Sequence, residues 1–291
     1  MKSFAIVTDS SCDLPVHLAK EIELTVLPLA FLMKGKEYYN YLDEHELSFQ
    51  EFYANLRAGE LCTTSAVNVD AFTTAMEPLL RMGQDVLCIA FSSGLSNTCN
   101  AALLAVEELS KKYPERKIYA VDSLCASLGQ GLLVYLAAQE REAGKNIDEV
   151  RAWLESNKLR LCHWFTVEDL HFLKRGGRIS ATTALVGSML SIKPVMHMDN
   201  AGHLVNVSKA RGRRASLNAL VDRMEALAID PQNQTVFISH GDSLEDAQYV
   251  AEQVRQRLGV QKPVTINYVG PVIGAHSGPG TIALFFLGKE R

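Results

Sequence analysis

The sequence predicts an α/β fold in two domains: a parallel sheet in the N-terminal domain, and a largely antiparallel sheet in a C-terminal α+β domain. The chain has 291 residues, whereas one hydrophobic core usually serves roughly 100–200 residues. In the first half, short apolar runs alternate with helical patterns, which is typical of βαβ units. Near Cys162 the pattern changes to runs in which apolar and polar residues partly alternate. We therefore place the domains at residues 1–160 and 161–291.

Three nearly continuous apolar runs predict the parallel strands of the first domain. They lie at residues 4–7, 85–91 and 117–121, and strands buried on both faces have this pattern. One helix face is predicted from apolar residues spaced three and four apart, namely Leu95, Cys99, Ala102, Val106 and Leu109. Residues 127–140 and 147–154 are also predicted to be helical.

The second domain is predicted to begin with a β-hairpin. Residues 192–199 and 203–207 are two half-alternating runs around the turn Asn200-Ala201-Gly202, and a short Gly-containing loop between such runs is typical of a hairpin. The remaining predictions are strands at residues 235–239, 264–269 and 282–287, and helices near residues 217–227 and 244–258. We interpret the Gly/Pro-rich residues 270–280 as a loop between two strands.

Composition and missing motifs argue against several classes of function. The net charge of −4 argues against a general nucleic-acid binder, because such proteins usually have a net positive charge. The six cysteines form no C-x-x-C pair, so no zinc site is predicted. The chain has no P-loop and no G-x-S-x-G elbow. With no signal peptide and no apolar stretch of ~20 residues, we expect a cytoplasmic protein.

Small polar residues and glycines gather in three segments that are candidates for ligand contacts. Hydroxyls can donate to a carboxylate, and a helix N-terminus with free N–H groups can bind an anion, although such residues also serve as helix caps. Glycines permit close approach of the backbone to a ligand. The segments contribute Thr64 and Ser65, then Ser92, Ser93 and Gly94, and finally His276, Ser277 and Gly278.

Seven basic residues form two groups in the second domain. The groups are either two solvated faces or a patch that binds an anion or a partner, since Arg pairs well with phosphate and carboxylate. Their members are Lys174, Arg175, Arg178, Lys209, Arg211, Arg213 and Arg214.

The ordered motifs resemble those of the DegV family of bacterial fatty-acid-binding proteins. The first half contains T-D-S-S-C-D-L-P, S-S-G-L-S-N-T and D-S-L-C-A-S-L-G-Q-G. The second half contains D-L-H-F-L-K-R-G-G-R-I-S, S-I-K-P-V, K-A-R-G and G-P-V-I-G-A-H-S-G-P-G. Each motif alone is weak, but together they span almost the whole chain in family order.

The resemblance implies that a fatty acid lies between the two domains and that no cofactor is needed. Its carboxylate would be held by Thr64, by Ser92 or Ser93, and by the His276-Ser277-Gly278 loop, while the acyl chain would run into the C-terminal domain. Some members present the carboxylate to a separate ATP-binding kinase subunit, which makes acyl phosphate. The positions that would then face the kinase are Arg178, Arg211 and His276.

Apolar side chains of the second half are candidates for the walls of an acyl tunnel, and methionines adapt well to a flexible chain. Any one of them could instead be ordinary core. The candidates are Leu185, Val186, Met189, Leu190, Met196, Met198, Phe285 and Phe286.

Two hypotheses from different classes remain. The first is a fatty-acid-binding protein that is not itself an enzyme and delivers its ligand to a kinase. The second is an enzyme, either a hydrolase that uses Ser93 and His276 or a phosphotransfer protein that uses His276. Hydrolysis needs a nucleophile with a base within reach, and spacing along the chain cannot show that contact.

Overall fold

The first half of the chain folds into two sheets in a computed structural model that describes residues 3–180 and 192–291. The strands are β1 (Phe4–Asp9), β2 (Thr25–Leu27), β3 (Ala30–Met33), β4 (Lys36–Tyr39), β5 (Cys62–Ser65), β6 (Asp85–Ala90) and β7 (Ile118–Asp122). A parallel sheet has the order β2-β1-β6-β7, and a small antiparallel sheet has the order β4-β3-β5. The parallel sheet confirms the fold predicted for this half.

The first half has six helices among the described residues, and α4, α5 and α6 lie close to the three predicted positions. They are α1 (Val16–Glu21), α2 (Phe49–Arg57), α3 (Val69–Arg81), α4 (Thr98–Lys112), α5 (Leu128–Glu142) and α6 (Ile147–Asn157). Helix α5 is buried along most of its length, because it packs against β1 on one side and against strands of the second half on the other.

The second half forms a six-stranded sheet. Its strands are β8 (Leu161–Thr166), β9 (Ile192–Met198), β10 (Leu204–Arg211), β11 (Phe237–His240), β12 (Thr265–Tyr268) and β13 (Ile282–Leu287). The order is β10-β9-β8-β13-β11-β12, and within the described part of this sheet only β11 and β12 pair in parallel. The helices are α7 (Leu170–Arg175), α8 (Arg213–Leu227), α9 (Leu244–Leu258) and α10 (Pro271–Ser277). The largely antiparallel sheet confirms the predicted α+β class.

Helix α10 corrects the interpretation of residues 270–280 as a loop. Pro271 occupies the first turn, where its missing N–H needs no partner. Val272 and Ala275 are buried in the core of the first half. At Gly274 an added Cβ would lie 2.6 Å from the Tyr53 hydroxyl of α2. The segment is therefore helical because its tertiary neighbours bury one face, although glycines and prolines dominate its local sequence.

The two halves share buried clusters rather than standing apart. Phe4 of β1, Leu132 of α5 and Phe285 of β13 belong to one cluster, and α10 packs into the other cluster of the first half. The division of the chain near residue 160 stays a prediction. Within residues 3–180 and 192–291, no helix is long and apolar enough to span a membrane.

Candidate functional site

A cavity of about 190 Å³ opens between the two halves of the molecule. Its wall is mostly apolar, and it takes side chains from β5, from the segment after β6, from α10 and from the six-stranded sheet. The first half contributes Leu29, Thr64, Ser65, Ala66, Phe91, Leu95, Ser96, Asn97, Ala126 and Ser127. The described part of the second half contributes His163, Phe165, Leu173, Arg178, Met198, Leu204, Ser239, Val269, Val272, Ile273, His276, Ser277, Thr281, Ala283 and Phe285.

One face of the six-stranded sheet forms the apolar floor of the cavity. Phe165 of β8 lies opposite Ala283 of β13, and His163 lies opposite Phe285. Ser239 of β11 is the other neighbour of Ala283. Because side chains alternate between the two faces of a strand, these residues all point to the same side. An extended apolar ligand can therefore lie across several strands of this floor.

The polar end of the cavity is built around a hydrogen bond between Thr64 and His276. Thr64 Oγ1 lies 2.8 Å from His276 Nε2, although 212 residues separate the two in the chain. Strand β5 holds Thr64 by pairing with β3, and His276 stands in the last turn of α10. The structure thus joins two of the predicted candidate segments at one point.

His276 is neutral at physiological pH. Burial, and to a smaller extent the nearby positive charges of Arg178 and Arg175, together lower the pKa of its imidazole to about 4. A neutral ring has one donor and one acceptor nitrogen, so it can bond Thr64 and still orient a second group. An anion bound beside it would offset the guanidinium charges and raise the pKa.

Arg178 brings a positive charge to the same end. Its guanidinium donates to the carbonyls of Gly176 and Leu95, the latter at 3.0 Å. Gly176 lies directly against the His276 ring, which places Arg178 beside that histidine. Within the described part of the chain, these bonds use two of the five guanidinium N–H donors. The prediction from the sequence placed Arg178 on a partner-facing surface, whereas the structure makes it part of the cavity wall.

Ser277 and Ser65 add hydroxyls to the polar end. Ser277 lines the cavity and is 5% exposed, and its hydroxyl has no hydrogen-bond partner among the described residues. A buried hydroxyl without a partner is unfavourable, and a ligand oxygen would supply one. Ser65 lines the same wall and is exposed.

Ser92 and Gly94 have a different place from the one expected. Ser92 is fully buried, and its hydroxyl donates to the Gly202 carbonyl at 2.9 Å while it accepts from the Gly94 N–H at 3.2 Å. Gly202 has a φ of +77°, and a Cβ there would meet the Ser92 hydroxyl at 2.2 Å. The Ser92 hydroxyl therefore connects the first half to the β9–β10 hairpin. Neither Ser92 nor Gly94 lines the cavity.

Ser93 and Gly278 also lie outside the cavity wall. Ser93 is exposed, and its N–H donates to Asp122 Oδ1 at 3.2 Å. Gly278 ends α10 with a φ of +78°, and a Cβ there would lie 2.6 Å from the Phe172 ring. Among the described residues, no hydrogen bond joins Ser93 to His276. The geometry thus gives no support to a Ser93–His276 hydrolytic pair.

The basic residues do not form one patch. Arg213 is engaged internally, with Asp246 at 2.9 Å and the Gly280 carbonyl at 2.6 Å, and Arg214 stacks on Tyr249. Arg211 is exposed at the end of the edge strand β10, away from the cavity wall. Of the seven, only Arg178 lines the cavity.

The predicted tunnel residues divide into three groups. Met198 and Phe285 line the cavity, and Met196 is buried in the adjacent core. Phe286 faces the opposite side of the sheet and packs under α8 and α9, so its assignment to the tunnel is wrong. The other candidates lie outside the described residues, namely Leu185, Val186, Met189 and Leu190.

Several cavity residues were missed by the reasoning from the sequence. Ser127, Ser239, Thr281 and His163 bring polar atoms to the wall, but each stands alone in an apolar stretch or at a helix start. Only strand alternation, read after the sheet is known, would have shown that Ser239 and His163 share a face. No group of three His, Cys, Asp or Glu suited to a metal occurs in the part of the chain that the structure describes.

Comparison with known proteins agrees with the motifs. The model of the DegV family, described as an uncharacterised protein family, matches residues 3–289. A DegV domain-containing protein of Clostridium perfringens is 48% identical over 291 residues, which cover 100% of this chain and 99% of that protein.

Solved structures give the same result for the fold. A fatty-acid-binding DegV family protein from Thermus thermophilus has a TM-score of 0.88 and 29% identity, covering 99% of this chain and 100% of its own. The Streptococcus pneumoniae fatty acid kinase B3 protein, loaded with linoleic acid, has a TM-score of 0.84 at 20% identity, covering 98% and 99%. The second likeness establishes the shared fold only.

Proposed function

This chain belongs to the DegV family, and from that premise we propose that it binds a long-chain fatty acid in the cavity between its halves. The carboxylate would lie at the polar end formed by Thr64, Arg178, His276 and Ser277, and the acyl chain would lie over the floor of the six-stranded sheet. The single observation that carries the proposal is this pairing of a cation and neutral donors with an otherwise mostly apolar cavity.

The apolar floor supplies the main driving force. Burial of a CH₂ group contributes ~0.8 kcal/mol, so a chain of about 14 methylenes gains roughly 11 kcal/mol before costs. Loss of translational and rotational freedom takes several kcal/mol back. Tight binding is therefore compatible with a polar end that contributes only a modest share.

The polar end suits a carboxylate better than a phosphate or a neutral headgroup. Arg178 offers guanidinium donors and Ser277 a hydroxyl that no hydrogen bond among the described residues uses, and Thr64 offers a hydroxyl held by His276. Charge-assisted hydrogen bonds to a carboxylate are roughly twice as strong as neutral ones. One guanidinium matches the single charge of a carboxylate, whereas a phosphate would bring more negative charge than this end neutralises.

We further propose that the protein is not itself an enzyme and that it presents the bound carboxylate to a separate kinase subunit. The exposed position of Arg211 on the edge strand β10, outside the cavity wall, supports this role, since a partner could contact it without displacing the ligand. Arg211→Ala is expected to leave fatty acid binding intact and to impair acyl-phosphate formation with the kinase. Arg255→Ala on α9, also an exposed arginine, is the matched control.

Native mass spectrometry of the purified protein, followed by denaturing extraction and lipid analysis, tests the ligand. A stoichiometric fatty acid is the expected result. Delipidated protein is then titrated with stearate and with octadecanol, which has the same chain without the carboxylate. A protein that stays empty after incubation with a panel of fatty acids overturns the proposed function, and equal affinity for acid and alcohol overturns the assignment of the polar end.

A further inference from the structure

A second polar group stands in the cavity wall beyond the carboxylate end. Ser127 and Ser239 both line the cavity, and their hydroxyl oxygens lie 3.0 Å apart. Ser127 Oγ also lies 2.6 Å from Asp13 Oδ2. The three residues are 5%, 0% and 2% exposed, respectively, so this hydrogen-bonded chain is buried except where it meets the cavity.

The backbone at Ser127 is held in an uncommon conformation. Its φ is 53° and its ψ is −147° at the start of α5, a region that residues with a Cβ rarely adopt. This conformation places the Ser127 hydroxyl between Asp13 and Ser239. Such strain persists only where surrounding contacts hold it, so the hydroxyl has a defined position in the wall.

The hydrogen-bonded series Asp13–Ser127–Ser239 leaves the Ser239 hydroxyl able to form a further hydrogen bond at the cavity wall. Ser127 is the one hydrogen-bond partner of the Ser239 hydroxyl among the described residues. When Ser127 donates to the Asp13 carboxylate, Ser239 donates to Ser127 and keeps free lone pairs. Burial raises the pKa of Asp13 to about 8. When Asp13 is protonated, it can donate to Ser127 and Ser127 can donate to Ser239, which leaves the Ser239 proton free for another acceptor. A ligand hydroxyl both donates and accepts, so it complements either direction.

Strand geometry separates this group from the carboxylate end. Thr281, the residue before β13, donates its hydroxyl to the Ser277 carbonyl at 3.0 Å. Ala283, two residues later and on β13, is the neighbour of Ser239. Same-face residues of a strand are about 7 Å apart. A ligand atom at Ser239 therefore lies several carbons from the carboxylate. A plain methylene chain passing there would leave the Ser239 hydroxyl with Ser127 as its one described partner, whereas a ligand hydroxyl would add a second hydrogen bond.

We propose that Ser127 and Ser239 form a subsite for a hydroxyl group on the acyl chain, so that long-chain fatty acids hydroxylated in their carboxyl-proximal half are a preferred ligand class. The inference rests on the proposed function, since it requires the acyl chain to lie over the sheet floor. Asp13 is a positioning residue in this subsite, because it orients Ser127 and does not itself line the cavity.

The test uses delipidated full-length protein and a positional series of hydroxystearates from C3 to C12, each titrated beside stearate. At least one position between the two ends of the series is expected to bind about threefold to tenfold more tightly than stearate, as one added hydrogen bond provides. Ser239→Ala is expected to bring that ratio of dissociation constants to about one. Ser216→Ala, which removes a buried hydroxyl bonded to the Arg213 carbonyl away from the cavity, should keep the ratio.

Each outcome separates the inference from the function on which it rests. If stearate binds and no hydroxystearate binds more tightly, the subsite is overturned and the proposed function stands. A preference that survives in Ser239→Ala overturns the assignment to this serine pair. If the wild-type protein binds none of these acids, the proposed function fails and the inference with it.

Discussion

Replacement of Arg178 by glutamine is the perturbation that the polar end of the cavity makes most informative. Arg178→Gln removes the one guanidinium that lines the described wall and keeps an amide of moderate length. Two of its donors hold the Gly176 and Leu95 carbonyls, and no other hydrogen bond within residues 3–180 and 192–291 uses the rest. The substitution therefore removes the positive charge from the polar end of the cavity but leaves a polar side chain there.

The expected magnitude follows from the kind of hydrogen bond that is lost. Hydrogen bonds to a charged group contribute about 1.5–3 kcal/mol, so the dissociation constant of stearate should rise roughly tenfold to hundredfold. The affinity for octadecanol should change much less, because the alcohol carries no charge for the guanidinium to neutralise.

A second readout needs no ligand. The pKa of His276 falls to about 4 mainly because of burial, and the charges of Arg178 and then Arg175 make smaller contributions to this fall. NMR titration of the imidazole should therefore show a higher pKa in Arg178→Gln, with a smaller rise in Arg175→Gln. Arg175 is exposed and outside the cavity wall, so Arg175→Gln should bind stearate as the wild type does.

One combination of results would contradict the placement of Arg178 at the carboxylate. If Arg178→Gln binds stearate within twofold of the wild type and the pKa of His276 does not move, Arg178 is neither beside the histidine nor at the carboxylate. Calorimetric titration and the NMR experiment on the same preparation decide the matter, and circular dichroism confirms that the variant is folded.

Three further predictions concern binding and stability. Thr64→Val removes the hydroxyl that bonds the cavity histidine, and calorimetry should show a stearate dissociation constant about threefold to tenfold higher. Gly202→Ala places a Cβ 2.2 Å from the buried Ser92 hydroxyl at a φ of +77°, and urea unfolding should show that the free energy of unfolding falls by about 2 kcal/mol or more. The control is Gly35→Ala, where φ is +73° but the space is open, and its free energy of unfolding should fall by about half as much. Because burial raises the pKa of Asp13 from 3.8 to about 8, the folded state keeps a proton that the unfolded chain releases, so its contribution to stability is lost as pH rises through this window. Asp13→Asn should flatten that dependence; an unchanged slope in urea unfolding between pH 5 and pH 8 would count against it.

Much of the fold could be predicted because its strongest signals are local. Strands buried on both faces must be nearly continuous apolar runs, and β1, β6 and β7 lie where such runs occur. Helices α4 and α9 follow from apolar residues at spacings of three and four, and strand β13 was predicted with its observed bounds.

Elements whose stability comes from distant neighbours could not be predicted in this way. Strands β3, β4 and β5 have four residues each, which is too few for a clear periodicity. Helix α10 has the composition of a loop, and it is a helix because the core of the first half buries Val272 and Ala275.

The candidate site likewise has features with a local signal in the sequence and features that depend on distant neighbours. The motifs and patterns of the sequence were enough to predict the family, the class of fold and the hydroxyl-rich segments that contain Thr64, His276 and Ser277. Which hydroxyls face the cavity depends on the three-dimensional arrangement, since Ser92 connects the two halves through its hydrogen bond to Gly202 and Ser239 reaches the wall through strand alternation. It also decided that Arg178 belongs to the cavity wall. Local sequence sets the backbone pattern, whereas the direction of a side chain toward a shared cavity depends on elements that are far apart in the chain.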